Sequence, residues 1–299
     1  MSNIIDLTTE TENKITENID TLTSLEIVSL INQEDAKVAK AVEKELPSIA
    51  KAVDAVADRF KKGGRIIYIG AGSSGRMGTL DAVELTPTYS VDPSRAFGIL
   101  AGGSEAMYRA VEGAEDSKEL AVEDLKKVEL SPLDCVIGIA ASGRTPYTIA
   151  GLVYANEVGA CSIAITCNGN SDMAKVASIS IAPVVGAEVI SGSTRMKAGT
   201  AQKMVVNMIS TAVMVRIGKV YKNYMVQVQP TNIKLVARAK NMIQKITGTD
   251  ETTAASLLEQ ADGSVAAAII MHKKKTTKEK AIETLNQTGG NVRQALALL

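Results

Sequence analysis

Histidine occurs once in the 299 residues, at His272, and that scarcity removes whole classes of chemistry. A Ser-His-Asp triad, a histidine metal site or a histidine general base would each have to use this one side chain. It stands beside the basic run Lys273-Lys274-Lys275. Acid–base work therefore falls to Glu, Asp, Lys or Tyr. Cysteine is nearly as scarce. Cys135, Cys161 and Cys167 are odd in number, lie in or near apolar strand-like runs, and have the spacing of neither a disulfide framework nor a zinc site. Buried, reduced thiols and no metal are expected. Net charge is also lacking: Lys plus Arg number 33, Asp plus Glu 33. No broad electrostatic footprint for nucleic acid or a membrane surface results, and the lysine run reads as a solvated helix end. No apolar run reaches the ~18 residues of a membrane helix, and residues 1–10 are too polar and acidic for a secretory signal. A cytoplasmic protein is expected.

What is present is a core-forming chain with strands and helices in alternation. Hydrophobic residues make up 45%, enough for a large domain with appendages or for two domains. Residues 34–60 carry apolar side chains at helical spacing, with Pro47 as a kink or break. Strands are predicted at 65–69, 96–100, 135–140, 162–166 and 179–183. Helical stretches fall at about 76–85, with Pro87 as its exit, then at 105–111, 117–128, up to 158, and 195–217. The pattern predicts an α/β fold with a doubly wound, mainly parallel five-stranded sheet flanked by helices. Past Pro230 no strand is expected. Short helices at 233–246, 252–260, 264–272, 278–287 and 292–298 predict a small all-helical domain. The expected organisation is an N-terminal helical segment 1–56, a sheet domain 57–220 and a helical domain 231–299.

Three small-residue loops follow strands, at the carboxyl edge where open α/β sheets hold ligands. The first, Gly70-Ala71-Gly72-Ser73-Ser74-Gly75, matches the dinucleotide pattern G-x-G-x-x-G. The next strand, however, ends in Ala101-Gly102-Gly103 and lacks the acidic residue that would bind a ribose. Ser73 and Ser74 instead add hydroxyl donors to a backbone that glycine, Gly75 included, lets approach an anion. The second loop is Ala141-Ser142-Gly143-Arg144-Thr145-Pro146; the third is Ser191-Gly192-Ser193-Thr194, followed by Arg195-Met196-Lys197. Ser-Gly before a helix is also ordinary capping, but three such loops on one sheet edge point to a phosphorylated polyol. Lys197 suits a Schiff base, a phosphate or carboxylate contact, or a helix-face charge.

These loops resemble those of sugar isomerase-type phosphosugar-binding domains. More narrowly, the chain resembles the N-acetylmuramic acid 6-phosphate etherases in Asn18-Ile19-Asp20, Ile31-Asn32-Gln33-Glu34-Asp35, the stretch 70–78, Asp81-Ala82-Val83-Glu84, Ala101-Gly102-Gly103, Val111-Glu112-Gly113-Ala114-Glu115-Asp116, the stretch 141–147 and the run 191–203. The likeness spans almost the whole chain. One stretch departs: the family usually has Cys-Pro-Pro-Thr-Phe-Gly after its first glutamate, where this chain has Leu85-Thr86-Pro87-Thr88-Tyr89-Ser90. The resemblance implies cleavage of a D-lactyl ether by elimination and rehydration, no metal or organic cofactor, a homodimer, and Glu84 and Glu115 as the catalytic pair. Helix dipoles offer a separate argument about roles. Glu84 is expected in the last turn of its helix, where a carboxylate is disfavoured, which suits an acid. Glu115 is expected just before a helix start, where the ionised form is favoured, which suits a base. Glu112 competes with Glu115, and Asp116 with Glu119 also reads as a plain capping box. A non-catalytic sugar-phosphate sensor and an aldose–ketose isomerase are the alternatives that share these loops.

Overall fold

The computed structural model describes residues 7–299. Its centre is a five-stranded sheet of β1 (Ile66–Gly70), β2 (Ala96–Leu100), β3 (Cys135–Ile139), β4 (Cys161–Ile165) and β5 (Ile179–Ile181). The spatial order is β2-β1-β3-β4-β5, with every neighbouring pair parallel. Helices cover both faces, so the central strands read as largely apolar runs rather than alternating ones, with Ser162 of β4 a buried polar exception. All five residues of β1, β3 and β4 are buried. Direction reverses between β1 and β3: the chain steps outward to β2 and then returns to the other side of β1. Such a switch point opens a crevice beyond the strand ends, and the first two hydroxyl-rich loops follow these two strands.

The N-terminal region is more helical than 34–60 alone predicts. Helix α1 (Ser24–Asp35) starts with a full capping box between Thr23 and Glu26. Helices α2 (Val38–Glu43) and α3 (Leu46–Lys61) follow. The run 34–60 is broken rather than kinked near Pro47: α2 ends at Glu43, and Pro47 sits in the first turn of α3, where a missing N–H costs nothing. Ile49, Ala52, Val53, Val56, Ala57 and Phe60 form the buried stripe of α3, which packs on β4 and β5. After β1 comes α4 (Gly72–Tyr89), which continues through Pro87 instead of ending there. The sheet is then flanked by α5 (Lys118–Lys127), α6 (Pro146–Val158) and α7 (Asp172–Val176), and α8 (Lys197–Arg216) follows β5.

Five further helices complete the chain: α9 (Ile233–Thr247), α10 (Glu251–Gln260), α11 (Val265–Lys274), α12 (Lys278–Gln287) and α13 (Val292–Leu298). They enclose their own core around α11, whose first seven residues are all buried. The chain divides into two compact units. One comprises the described residues up to Val83 together with Pro93–Ser210; the other comprises Glu84–Asp92 with Thr211–Leu299. Among the described residues no helix is long and apolar enough to cross a membrane.

Candidate active site

The first loop is shaped by a steric demand at Gly75. A Cβ there would lie 2.2 Å from Leu100 Cδ1 and 2.6 Å from the Gly70 carbonyl oxygen, so only glycine lets the start of α4 come this close to β1. Ser73 and Ser74 therefore fall in the first turn of α4, where amide groups lack helical partners and favour an anion. Ser74 Oγ is 3.0 Å from Gln202 Oε1 on α8, and the Gln202 side chain is buried.

The second loop also turns on a glycine. Gly143 has φ +68°, and a Cβ would lie 2.3 Å from Ser171 Cβ. Asn168, just past β4, fixes this loop from outside. Its Nδ2 donates to the Ala141 carbonyl at 3.0 Å, while its Oδ1 accepts from Thr8 N at 2.9 Å and from Thr8 Oγ1 at 2.8 Å. Thr8 and Thr9 are thereby tied to the carboxyl edge of the sheet. Ser142 Oγ accepts from Arg144 N at 3.3 Å. Arg144 is half-buried, and its Nε is fully enclosed without a hydrogen-bond partner, a donor left open in a loop of donors. Thr145 precedes Pro146, the first residue of α6.

One apolar cluster joins the two loops. Ala101, Ala140 and Tyr147 are buried in it, and Ala71 and Ala114 pack on it. Ala114 opens the 3-10 turn Ala114–Asp116, which carries Glu115 and packs on α6. Glu115 consequently lines a cavity of about 290 Å³ with Ser73, Gly72, Arg76, Arg109 and Glu112. Arg76 braces the far wall: its Nε donates to the Ala106 and Met107 carbonyls at 3.0 and 3.2 Å, and its Nη2 to Ala106 at 2.7 Å. Sequence reasoning passed over Arg76 and Arg109. A cation one residue after Gly75 was the available signal for the first.

Helix-end arguments fare unevenly. Glu84 is exposed on α4, but the helix runs five residues beyond it, so Glu84 is clear of the last turn, where the dipole acts most strongly. Glu84 belongs to the second compact unit, whereas Glu115 and the cavity belong to the first. Glu115 precedes α5, whose cap is Ser117: its Oγ accepts from Leu120 N at 3.1 Å. The Asp116–Glu119 capping box is therefore not formed, and Glu115 is left exposed to solvent.

The third loop is a different environment. Glu188, wholly buried, takes the Lys197 and Ala198 amides at 3.0 and 2.9 Å, so a carboxylate of the chain itself occupies the amide end of α8. Lys197 is buried and pairs with Glu34. Ser191 lines a separate cavity with Asn13, Thr16 and Ile190. Ser193 and Thr194 are half-buried and Arg195 is exposed. Among the described residues no cluster of three or more His, Cys, Asp or Glu side chains could hold a metal.

Residues 48–156 match the glucokinase regulatory protein N-terminal SIS domain family, and residues 118–212 match the SIS domain family. N-acetylmuramic acid 6-phosphate etherase 1 of Enterococcus faecalis is 58% identical over 295 residues, covering 99% of this chain and 98% of that one. The N-acetylmuramic acid 6-phosphate etherase of Clostridium beijerinckii is 55% identical, covering 98% and 97%. That of Lactobacillus johnsonii is 56% identical, covering 97% of each. Among solved structures, a phosphoheptose isomerase from Neisseria gonorrhoeae is 15% identical with a TM-score of 0.49, covering 64% of this chain and all of the other. Identity of this order over nearly the full length of both chains places the protein in the N-acetylmuramic acid 6-phosphate etherase family.

Proposed function

We propose that the protein cleaves the D-lactyl ether of N-acetylmuramic acid 6-phosphate, releasing D-lactate and N-acetylglucosamine 6-phosphate. The observation that carries this reading is the shared cavity, where a phosphate-type loop (Ser73) and two carboxylates (Glu112 and Glu115) face one space. A sensor needs the loop but not the carboxylates. An alkoxide is a poor leaving group, so the sugar first opens to its aldehyde, which acidifies the proton on C2. Glu115 removes that proton, the electron pair forms the C2–C3 double bond, and the C3–O bond breaks. Glu84 protonates the departing lactate oxygen. Water then adds at C3 of the unsaturated aldehyde and the ring closes. Ser73, Ser74, Gly75 and the loop Ser142, Gly143, Arg144 and Thr145 hold the phosphate. Of the third loop, Ser191 opens onto the separate cavity described above, while Ser193, Thr194 and Arg195 stand at the margin of the substrate pocket. Lys197 joins them only by giving up Glu34.

The deciding experiment is incubation with N-acetylmuramic acid 6-phosphate and an enzymatic assay for D-lactate; no release above the spontaneous rate rejects the reading. The proposal extends to a homodimer working in the cytoplasm. Leu80 and Val83, three residues apart on α4, are 51% and 62% exposed, an apolar stripe suited to a second copy. Light scattering of wild type and Leu80→Glu/Val83→Glu should give a dimer and a monomer.

A further inference from the structure

We propose that Arg109 binds the carboxylate of the lactyl group, and so distinguishes the ether substrate from the sugar phosphate it leaves behind. The inference rests on the etherase reading above. That substrate carries two anions into a cavity that already holds Glu112 and Glu115. The phosphate is served by the N–H and O–H donors of the first two loops and by Arg144, of which only Ala71, Gly72 and Ser73 line this cavity. A carboxylate brought beside two glutamates needs a cation, and the cavity offers two, Arg76 and Arg109.

Their situations differ. The Nε and Nη2 of Arg76 are held on the carbonyls of Ala106 and Met107, which fixes the turn Gly103–Met107 leading to Arg109. The Arg109 side chain is 74% exposed, and its partner is Glu105, one helical turn away and also half exposed. An exposed pair of this kind is easily exchanged. A guanidinium can grip a carboxylate through two parallel N–H bonds. The lactyl carboxylate lies only a few bonds from C2, the atom Glu115 must reach, so one cavity has to serve both. Arg109 is the cation free to swing from Glu105 to the substrate.

The test compares kcat/KM of wild type and Arg109→Gln on two substrates, N-acetylmuramic acid 6-phosphate and its analogue with the lactyl acid replaced by the amide. The acid should lose roughly 10- to 100-fold in the variant, the range for a charge-assisted hydrogen bond. The amide should change little, and calorimetric binding of N-acetylglucosamine 6-phosphate should stay at the wild-type value. Arg109→Lys should fall between, keeping the charge without the fork. An equal loss on acid and amide, or weakened product binding, overturns the assignment to Arg109 alone. Wild-type protein that releases no D-lactate overturns the etherase reading and this assignment with it.

Discussion

Lys197 Nζ lies 2.5 Å from Glu34 Oε2, with the two side chains only 1% and 3% exposed. The residues are 163 positions apart, so this ion pair pins the start of α8 to the end of α1. Removing one partner of a buried pair costs about 3–5 kcal/mol, because the other charge is stranded. Glu34 also pairs with the half-exposed Lys37, so Lys197→Met should lower the unfolding free energy by less than that amount, and Glu34→Leu/Lys197→Met should recover most of it. Urea titrations of the three proteins measure both. Wild-type stability in Lys197→Met, joined to lost phosphosugar binding, would move this lysine from the core to the site.

Acid sensitivity should centre on the opposite end of the sheet. Asp134 accepts Arg65 N at 2.9 Å, Nε at 3.0 Å, Nη2 at 2.7 Å and Ser131 N at 2.8 Å. Burial favours its neutral form, but the hydrogen bonds and charge of Arg65 outweigh that and hold it below the ordinary 3.8. A carboxyl depressed on folding stabilises fully above its unfolded value, and that contribution is lost as pH falls through the lower folded value. Wild type should therefore lose stability more steeply than Asp134→Asn below about pH 4. At neutral pH Asp134→Asn should be the less stable, with KM near wild type, since the loops lie at the other strand ends. Parallel pH–stability curves would reject this account.

A general acid or base contributes about 10²–10⁴-fold in rate. Glu115→Gln and Glu84→Gln should each slow D-lactate release by such a factor while product binding stays near wild type. Exchange of the C2 proton with deuterated water separates the roles: it should persist in Glu84→Gln and stop in Glu115→Gln. If it stops in Glu112→Gln instead, the neighbouring glutamate in the same cavity is the base.

Phosphate contacts act on substrate and product alike. Ser142→Ala should weaken both by roughly 10-fold, the value of one hydrogen bond to a charged group, and the unphosphorylated sugar should bind far worse than either. Calorimetry showing equal affinity for phosphorylated and unphosphorylated sugars would remove the loops from the site.

What could be read in advance follows from the range of the interactions involved. Strands β1 to β5 and helices α9 to α13 declare themselves through local periodicity, and Gly75 and Gly143 through loop chemistry. Thr23 and Glu26 spell a capping box that the reading of 34–60 passed over. Pro87 misled for a different reason. Local propensity ends a helix there, yet α4 continues and buries Leu85, and packing outweighed the missing hydrogen bond. The third loop could not have been settled from sequence. Its serines look like the others, but Glu188 takes the amides of α8 and Glu34 takes Lys197, and neither partner lies in the motif.

The Asn168 tether bears on how the protein should be produced and handled. Because its amide joins Thr8 to the loop of Ser142, proteolytic trimming past Thr9 would leave Asn168 Oδ1 without these donors and slacken a loop far away in sequence. An N-terminal fusion has to leave this segment room to lie against the sheet edge, whereas the exposed Leu298 makes the other end the safer place for a purification handle.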